Sequence, residues 1–438
     1  MAGRREGGKA GGRAPLRNWP TLVLFGLALC LSSTTFASQT SRPTALAPSR
    51  PPASPGTELT IAVLTMGSGG EVWERFGHNA IVVEDHQQGT SVAYNYGMFS
   101  FRQENFLLRF IQGRMNYWMA GFDTDLDVAR YRAAQRSVWR QELNLTPAQR
   151  VALRDFLVWN SRDENKFYRY DYYRDNCSTR VRDALDKAVG GAIKAQTSTL
   201  PAGTTFRFHT QRLTTNDIPM YTAMQIATGR GADEPLSAWE EMFLPFKLRE
   251  HLRAVRVPDD SGHMVPLVKS EETLYESNAF PVLEAPPRWI PNYLIVGLVL
   301  GIGLAVLGVL SARSGWARVG FGALSLTWTW VTGIVGTLLA GMWAFTDHVI
   351  ARRNENVLQF SVLALAVAIL LIPVLRGKSW PVRTARALAM GMALLSIAGL
   401  LGKVLPSWIQ GNGQLLALAI PANLGLAIGL QRFTRDMN

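Results

Sequence analysis

The amino-acid sequence predicts an α+β domain followed by an all-α bundle of about five transmembrane helices. Residues 59–288 mix strand-like and helix-like patterns, and they carry 27 basic and 28 acidic side chains. Long apolar segments follow one another beyond residue 290, and four of them contain no charged residue. The first part suits an aqueous environment and the second suits a bilayer, because only long uncharged segments are stable in its hydrocarbon.

The N-terminus is predicted to direct export. Basic residues precede the apolar run TLVLFGLALCL, and small residues follow it, with Ala37 as the expected cleavage point. This pattern is typical of a secretory signal, so residues 1–37 are a signal peptide or, alternatively, an uncleaved N-terminal anchor. Residues 38–58 contain five prolines and are predicted to form a stiff, solvated linker.

Residues 59–288 are predicted to form one exported domain. Four runs rich in β-branched or aromatic residues predict strands at 59–66, 79–85, 91–97 and 138–145. Thr146 and Pro147 provide the cap and first-turn proline of a helix that continues to Trp159. Asn176 is a suitable cap for a second helix that begins near Cys177.

Residues 289–438 are predicted to form the transmembrane part. The candidate spans are 292–311, 319–345, 356–375, 387–406 and 412–430, and each is long enough to cross about 30 Å of hydrocarbon. The fourth is the weakest, because it contains Lys403 near one end. Alternate loops carry most of the basic residues, namely Arg313, Arg318, Arg376, Lys378, Arg383, Arg386, Arg432 and Arg435. This bias places the C-terminus in the cytoplasm and residues 59–288 outside it.

Charge and cysteine content exclude several classes of protein. The chain has a net charge of +12, but residues 59–288 are balanced, so the excess lies in the termini and membrane loops. A nucleic-acid partner is therefore not supported. Two cysteines exclude a disulfide scaffold. No group of potential ligands has metal-site spacing, so neither a metal nor a cofactor is expected.

Cys177 and His78 are the candidate catalytic pair. Once the signal is removed, Cys177 is the only cysteine left in an oxidising compartment. Its predicted position on the first turn of a helix favours the thiolate and provides amides for an oxyanion. His78 opens a strand, where its imidazole can take the thiol proton. The alternatives are a small buried core cysteine and a structural histidine.

Several sequence segments resemble a known family. RFGHNAIVV, YNYGMFSF, NFLLRFIQGRMNYW, LNLTPAQ, YRYDYYRDNCSTRVRDAL and DEPLSAWEEMFLP resemble, in order and spacing, the Lnb family of bacterial lipoprotein N-acyltransferases. The resemblance covers most of residues 59–250. The order of histidine before cysteine is also similar to that of permuted papain-like, NlpC-like domains. TDHVIARRNENVLQF, in the membrane part, resembles the outward-facing loop of the Lnb family.

The resemblance implies acyl transfer at the bacterial inner membrane, with the catalytic domain in the periplasm. Cys177 would attack an acyl ester of a phospholipid, with His78 as general base, and form a thioester. The N-terminal amine of a lipidated cysteine on a bacterial lipoprotein would then accept the acyl chain. Partners would be the phospholipid donor and the lipoprotein acceptor, and the sequence does not indicate an oligomeric state.

Further residues are candidates for supporting roles. Tyr170, Tyr172 and Asn176 are candidates to stabilise an oxyanion or to orient the cysteine, and the alternative for the tyrosines is simple packing. In the outer loop, His348, Arg352, Asn354 and Asn356 are candidates to bind substrate, and the alternative for the arginines is anchoring of the helices. An acyl groove or a bilayer contact is expected from Phe101, Phe106, Phe110, Met115, Tyr117 and Trp118, unless they form an amphipathic helix packed on the core.

Two other functions remain open from the sequence. A membrane-tethered cysteine peptidase or amidase acting on cell-wall peptides would use the same nucleophile and base, with water as the acceptor. A non-enzymatic membrane protein that docks a partner would not need the thiol. Acyl transfer is favoured because a peptidase needs one tether, whereas five crossings suit lipid substrates.

Overall fold

The computed structural model describes residues 54–435, which form an α+β sheet domain followed by five apolar helices. This confirms the predicted α+β class and the helical C-terminal region. The predicted signal or anchor (1–37) and most of the linker (38–58) lie outside the described residues. Residues 54–58 form a turn that leads into the first strand.

In the described part of the chain, the sheet domain contains nine strands: β1 Leu59–Met66, β2 His78–Asp85, β3 Thr90–Met98, β4 Asn116–Asp123, β5 Val138–Leu143, β6 Phe167–Arg169, β7 Arg256–Pro258, β8 Met264–Pro266 and β9 Val268–Tyr275. Seven of them form one antiparallel sheet in the order β6-β4-β3-β2-β1-β5-β9, whereas β7 and β8 form a separate hairpin. The predicted strands correspond to β1, β2, β3 and β5.

Within residues 54–435, nine α-helices accompany these strands: α1 Phe106–Gln112, α2 Thr124–Ala133, α3 Pro147–Asn160, α4 Cys177–Ala188, α5 Ala192–Thr197, α6 Phe206–Leu213, α7 Ile218–Ala227, α8 Ala238–Glu241 and α9 Pro245–Leu252. The two predicted helices are α3 and α4. Thr146 caps α3 through its side chain, and Pro147 occupies the first turn.

Both faces of the central strands are buried, which follows from the two-residue alternation of a strand. One face carries Leu59, Ile61 and Val63 of β1 and packs against α3, α4 and α9. The other face carries Ala62 and Leu64 and packs against Val128 of α2. As a result, the first turn of α4 is held against β2 and β3, where the candidate site lies.

The apolar helices are α10 Ile290–Leu310, α11 Gly315–Phe345, α12 Leu363–Leu375, α13 Val382–Leu401 and α14 Gly413–Phe433. Each, together with short 3-10 turns at the ends of α12 and α13, is long and apolar enough to cross a membrane. α13 begins five residues before the predicted span, because its basic first turns are helical too. The start of α10 and the two segments 346–362 and 402–412 contact the sheet domain. The loops with most basic residues therefore lie at the opposite end.

Helices α10 and α14 approach closely because both present glycine at their contact. A Cβ atom at Gly425 would collide with the backbone of Gly301, and a Cβ atom at Gly301 would collide with the backbone of Pro421. Small residues at such contacts allow membrane helices to pack through their backbones.

We expect Gly425→Ala to destabilise the helical part, because the added methyl group must separate the two backbones. Overpacking of this kind costs about 1–3 kcal/mol. Thermal unfolding of the full chain in detergent micelles measures the loss as a lower midpoint. Gly341→Ala is the matched control, since a Cβ atom at Gly341 meets nothing within 4 Å. An equal effect of both substitutions would contradict the close contact.

Candidate active site

Asn176 fixes the start of the helix that carries Cys177. Its Oδ1 accepts hydrogen bonds from the backbone N–H groups of Ser178 and Thr179, both at 2.9 Å. Its Nδ2 donates to the carbonyl groups of Tyr172 at 2.9 Å and Phe243 at 3.0 Å. The amide of Asn176 is thus fully used within the protein. This geometry favours the orienting role and leaves no amide donor free for an oxyanion.

A second set of hydrogen bonds ties this helix start to the strand that begins with His78. The Ser178 hydroxyl lies 2.9 Å from Oδ1 of Asn79 and 2.7 Å from the carbonyl oxygen of Met242. Nδ2 of Asn79 donates to Oγ1 of Thr65 at 2.9 Å. Because Ser178 follows Cys177 and Asn79 follows His78, this bond brings the two candidate catalytic residues to the same corner of the domain.

The sulfur of Cys177 lies among backbone N–H groups. Those of Asn79, Ser178 and Cys177 itself form hydrogen bonds with it. The side chain rests on Gly97 of β3, where a Cβ atom would lie 3.3 Å from Cβ of Cys177. Gly97 also has φ of +87°, a conformation that favours glycine. Since Asn176 already occupies the Ser178 amide, the amides of Cys177 and Asn79 are the better candidates to hold an oxyanion.

His78 is oriented by a chain of side chains that sequence reasoning did not identify. Its Nε2 lies 2.8 Å from Oδ1 of Asn95. Nδ2 of Asn95 donates to the carboxylate of Asp127 at 3.0 Å and to the carbonyl oxygen of Ala93 at 3.2 Å. Both partners of Nδ2 are acceptors, so the oxygen of Asn95 faces the imidazole and Nε2 of His78 carries the proton. Nδ1 then keeps its lone pair and is the nitrogen that can accept a proton.

Tyr131 and Arg136 complete the environment of His78. The Tyr131 ring stacks beside the imidazole, with ring centroids 6.2 Å apart. The Arg136 guanidinium lies 4.8 Å from the centroid of the Tyr131 ring. It is fixed by the carbonyl oxygen of Gly67 and the carboxylate of Glu74. Its positive charge disfavours protonation of His78 and favours ionisation of Cys177.

Burial decides the charge state of the pair. Removal from water raises the pKa of the Cys177 thiol to about 11, despite the opposing hydrogen bonds from backbone amides. It also lowers the pKa of His78 to about 4, despite the bond to Asn95. The structure therefore corrects the expectation that the helix start favours the thiolate. At neutral pH the resting site holds a neutral thiol and a neutral imidazole.

The predicted tyrosines lie beside Cys177 in an aromatic group. A Cβ atom at Gly97 would lie 3.6 Å from the Tyr170 ring, which places Tyr170 next to the thiol. Tyr170 stacks on Tyr117 at a centroid distance of 4.0 Å and contacts Tyr172 edge to face. Burial raises the pKa of Tyr170 well above its ordinary value, so its hydroxyl remains a hydrogen-bond donor. Tyr172 is exposed and shares a hydrogen bond with Tyr117.

The predicted residues of the outer loop do not join this site. The side chains of Asn354 and Asn356 are buried and donate to backbone carbonyl groups of residues 225–227 at the end of α7. These contacts attach the loop to the sheet domain and use the side-chain amides of the two asparagines. Nε2 of His348 lies 2.9 Å from the carbonyl oxygen of Phe110. Arg352 is exposed, and its carbonyl oxygen lies against Gly229.

Two cavities lie near the ends of β1 and β5, away from the thiol. Their volumes are about 190 and about 660 Å³, and both are lined by Ser68, Arg212 and Phe280. Neither is lined by Cys177 or His78. Only 8% of the Cys177 surface is exposed. A substrate carbonyl can therefore reach the sulfur only if side chains that cover it, such as Tyr170, move.

Comparison with known proteins identifies the N-terminal part of the sheet domain. Residues 53–214 match the family model of the Lnb N-terminal periplasmic domain. This part of the chain is an Lnb-type domain. No curated protein and no solved structure matches the chain. Together with the five apolar helices, the match describes a multi-pass membrane protein with a periplasmic domain.

The match includes Cys177 and His78 and also the residues that sequence reasoning missed. Asn95 lies in the predicted strand 91–97, where the residue pattern indicates a strand and no further role. Asp127 lies in α2, which was not predicted. The sequence feature that could have identified Asn95 is its place inside a predicted apolar strand. A side-chain amide that becomes buried there needs a specific hydrogen-bond partner.

We expect the alkylation rate of Cys177 by iodoacetamide to rise about tenfold for each pH unit between about pH 7 and about pH 10, because the thiolate is the reactive species. The raised pKa of about 11 predicts no plateau in this range. Peptide mass spectrometry of a Cys30→Ser chain measures the rate at this site alone. The same chain in denaturant should approach a plateau near the ordinary thiol pKa of about 8.5. A plateau below about pH 8 in the folded chain would show a stabilised thiolate instead.

Proposed function

We propose that this protein is a membrane-bound lipoprotein N-acyltransferase of the bacterial inner membrane. The observation that carries the proposal is the Ser178–Asn79 hydrogen bond, which joins the helix start that carries Cys177 to the strand start that carries His78. Asn95 fixes the tautomer of this histidine for proton acceptance. This pair belongs to an Lnb-type periplasmic domain that is joined to five apolar helices. A bilayer-embedded enzyme with an exported nucleophile suits substrates that are themselves lipids.

In the first half-reaction, the sulfur of Cys177 attacks the carbonyl carbon of a phospholipid ester while Nδ1 of His78 takes the thiol proton. The N–H groups of Cys177 and Asn79 hold the negative charge that develops on the carbonyl oxygen. The ester C–O bond then breaks, and His78 returns the proton to the leaving glycerol oxygen. Lysophospholipid departs, and the acyl chain remains on Cys177 as a thioester.

In the second half-reaction, the N-terminal amine of a lipidated cysteine on a lipoprotein attacks the thioester carbonyl. His78 takes a proton from the amine, the C–S bond breaks, and the thiol is restored as an amide forms. A thioester is more reactive toward an amine than an oxygen ester is. The covalent intermediate therefore divides one difficult transfer into two easier steps.

The neutral state of Cys177 and His78 before substrate binds determines when the thiol proton is transferred. A thiol with a pKa of about 11 and an imidazole with a pKa of about 4 do not form an ion pair before substrate arrives. Proton transfer must accompany attack, when the negative charge moves from sulfur to the carbonyl oxygen. The Asn79 amide and Arg136 then stabilise charge that exists only during the reaction.

The arrangement also supports the permuted papain-like, NlpC-like interpretation of the fold. The cysteine begins a helix that packs on an antiparallel sheet, and the histidine begins a strand of that sheet. The histidine precedes the cysteine in the chain, as expected for a permuted order. A side-chain amide orients the imidazole from the neighbouring strand β3.

One observation supports a second function, the docking of a partner without catalysis. Cys177 is 8% exposed and packs within the main apolar core of the sheet domain. That position suits a structural cysteine in a protein that docks a partner without catalysis. The two functions differ in what they predict for loss of the sulfur.

We expect Cys177→Ala to abolish N-acylation of lipoproteins, because the chemistry requires the sulfur; a decrease of about a thousandfold or more is typical for loss of a nucleophile. The assay combines the purified full chain, phospholipid vesicles and a diacylated lipoprotein, with mass spectrometry of the lipoprotein N-terminus. Cys30→Ser is the matched control and should keep full activity.

Intact-mass measurement without acceptor tests the intermediate. The wild-type chain should gain the mass of one acyl group on Cys177 and release an equal amount of lysophospholipid. Unchanged biological activity of Cys177→Ala would favour partner docking. Turnover of cell-wall peptides without lysophospholipid release would favour a peptidase or amidase.

Asn95 is a positioning residue, and its role can be tested through the pH profile. We expect Asn95→Ala to lower kcat about ten- to a hundredfold with little change in KM for phospholipid, because the imidazole loses its orientation. Asn95→Asp keeps the acceptor oxygen for His78, and it replaces the amide donor to Asp127 with a second carboxylate, which adds negative charge beside the imidazole. It should therefore keep more activity and move the acid limb of kcat/KM to higher pH.

The control for this pair is Asn144→Ala, which removes one hydrogen bond to the carbonyl oxygen of Pro266 at the edge of the domain. It should leave both kcat and the pH profile unchanged. Equal losses in Asn95→Ala and Asn95→Asp, with unshifted pH profiles, would indicate that Asn95 only supports folding.

A further inference from the structure

A short helix and the loops beside it expose an unusual number of large apolar side chains. The exposed residues, here called the apolar platform, are Trp73, Phe101, Leu107, Leu108, Phe110 and Ile111. Most belong to α1, for which the sequence leaves open a bilayer contact, an acyl groove or an amphipathic helix packed on the core. Instead, α1 has no buried residue. Soluble proteins rarely expose a contiguous apolar patch of this kind unless it contacts a partner or a membrane.

The platform is attached to the outer end of a membrane helix. The carbonyl oxygen of Gln112 accepts a hydrogen bond of 2.9 Å from the backbone N–H of Asp347, two residues beyond the end of α11. Nε2 of His348 lies 2.9 Å from the carbonyl oxygen of Phe110. The Asp347 carboxylate binds Arg114 at 2.8 Å. These bonds hold α1 at the level where α11 leaves the hydrocarbon.

The charges around α1 suit a phospholipid surface. Arg102 and Arg109 are exposed next to the apolar side chains, and neither forms an ion pair within residues 54–435. Apolar side chains with arginine at their edges are typical of segments that lie at the bilayer interface, where guanidinium groups bind phosphate. The only acidic residue between Phe101 and Gly113 is Glu104.

Ring contacts lead from the platform to the candidate active site. Phe110 contacts Phe106, which contacts Phe101, and Phe101 contacts Phe99. The contacts continue from Phe99 to Tyr117, and from there to Tyr170 beside Cys177, at centroid distances of 5.1 and 4.0 Å. Trp73, which packs against Phe101, lies five residues before His78.

We propose that the apolar platform inserts into the outer leaflet of the same bilayer that the five helices cross. Its occupant is phospholipid: acyl chains contact the leucine, isoleucine and phenylalanine side chains, and phosphate groups contact Arg102 and Arg109. The aromatic residues then form the surface along which a donor lipid reaches Cys177. This last step rests on the proposed acyl transfer, whereas insertion of the platform does not.

Photo-cross-linking of the full chain in phospholipid nanodiscs tests the insertion. Benzoylphenylalanine replaces Leu108 on the platform, or Leu126 on α2 as the matched control, since both leucines are exposed. We expect lipid adducts, detected by mass spectrometry, to be at least about fivefold more abundant at position 108. Equal yields at the two positions, or cross-links from position 108 to another protein chain, would overturn the proposal.

A double substitution tests the delivery of lipid. We expect Leu108→Asp with Ile111→Asp to raise KM for phospholipid in vesicles about tenfold or more, because charged side chains leave the bilayer. Alkylation of Cys177 should remain unchanged, which shows an intact site. Unchanged KM would contradict the delivery role. Absence of acyl transfer by the wild-type chain would refute the proposed function instead, and the cross-linking result would still report on insertion.

Discussion

The candidate site depends on the hydrogen bonds that join the start of α4 to the start of β2. Asn176 fixes the first turn of the helix, and the Ser178 hydroxyl reaches Asn79 in the strand. All of these groups are buried, so each would cost about 1–3 kcal/mol if it lost its partner. The mutual satisfaction of these groups therefore specifies one position of the helix on the sheet. The backbone positions of Cys177 and His78, which precede the bonded residues Ser178 and Asn79, lie at one corner of the domain as a consequence.

The same burial that gives the site its geometry determines its electrostatics. A helix start favours a thiolate through local dipoles, yet the loss of water around Cys177 outweighs that effect and raises its pKa. The imidazole is kept neutral for the same reason. The thiol is thus weakly nucleophilic before substrate binds, because burial keeps it protonated. Reactivity then depends on a substrate carbonyl that can receive the charge.

Local patterns predicted the elements that local forces determine. β1, β2 and β3 follow from runs of β-branched residues, and α3 and α4 follow from their capping residues. β9 could not be predicted in this way, because its sequence VKSEETLY is polar on both faces. It forms as an edge strand because β5 offers a free edge and Arg249 and Arg253 bind Glu271.

The residues of the candidate site also fall into two groups, those that local sequence patterns predict and those that depend on contacts between distant elements. Cys177 and His78 could be proposed from residue type and from their places at the starts of elements. Asn95 and Asp127 could not, since their roles depend on contacts between β2, β3 and α2 that no local pattern encodes. The charge state of the thiol was mispredicted for a similar reason: a helix start is visible in the sequence, whereas burial is a property of the whole fold.

The segment after α11 carries polar residues that join the apolar helices to the sheet domain. Asp347 and His348 hold α1, whereas Asn354 and Asn356 bind the end of α7 through its free carbonyl groups. Gln410, from the next outer segment, donates to the carbonyl oxygen of Thr228 and completes this contact. A helix end buried against a membrane module needs such donors, because water cannot satisfy its carbonyl groups there. The polar loop therefore sets the height of the sheet domain above the bilayer, and with it the distance that a lipid ester must travel to reach the sulfur.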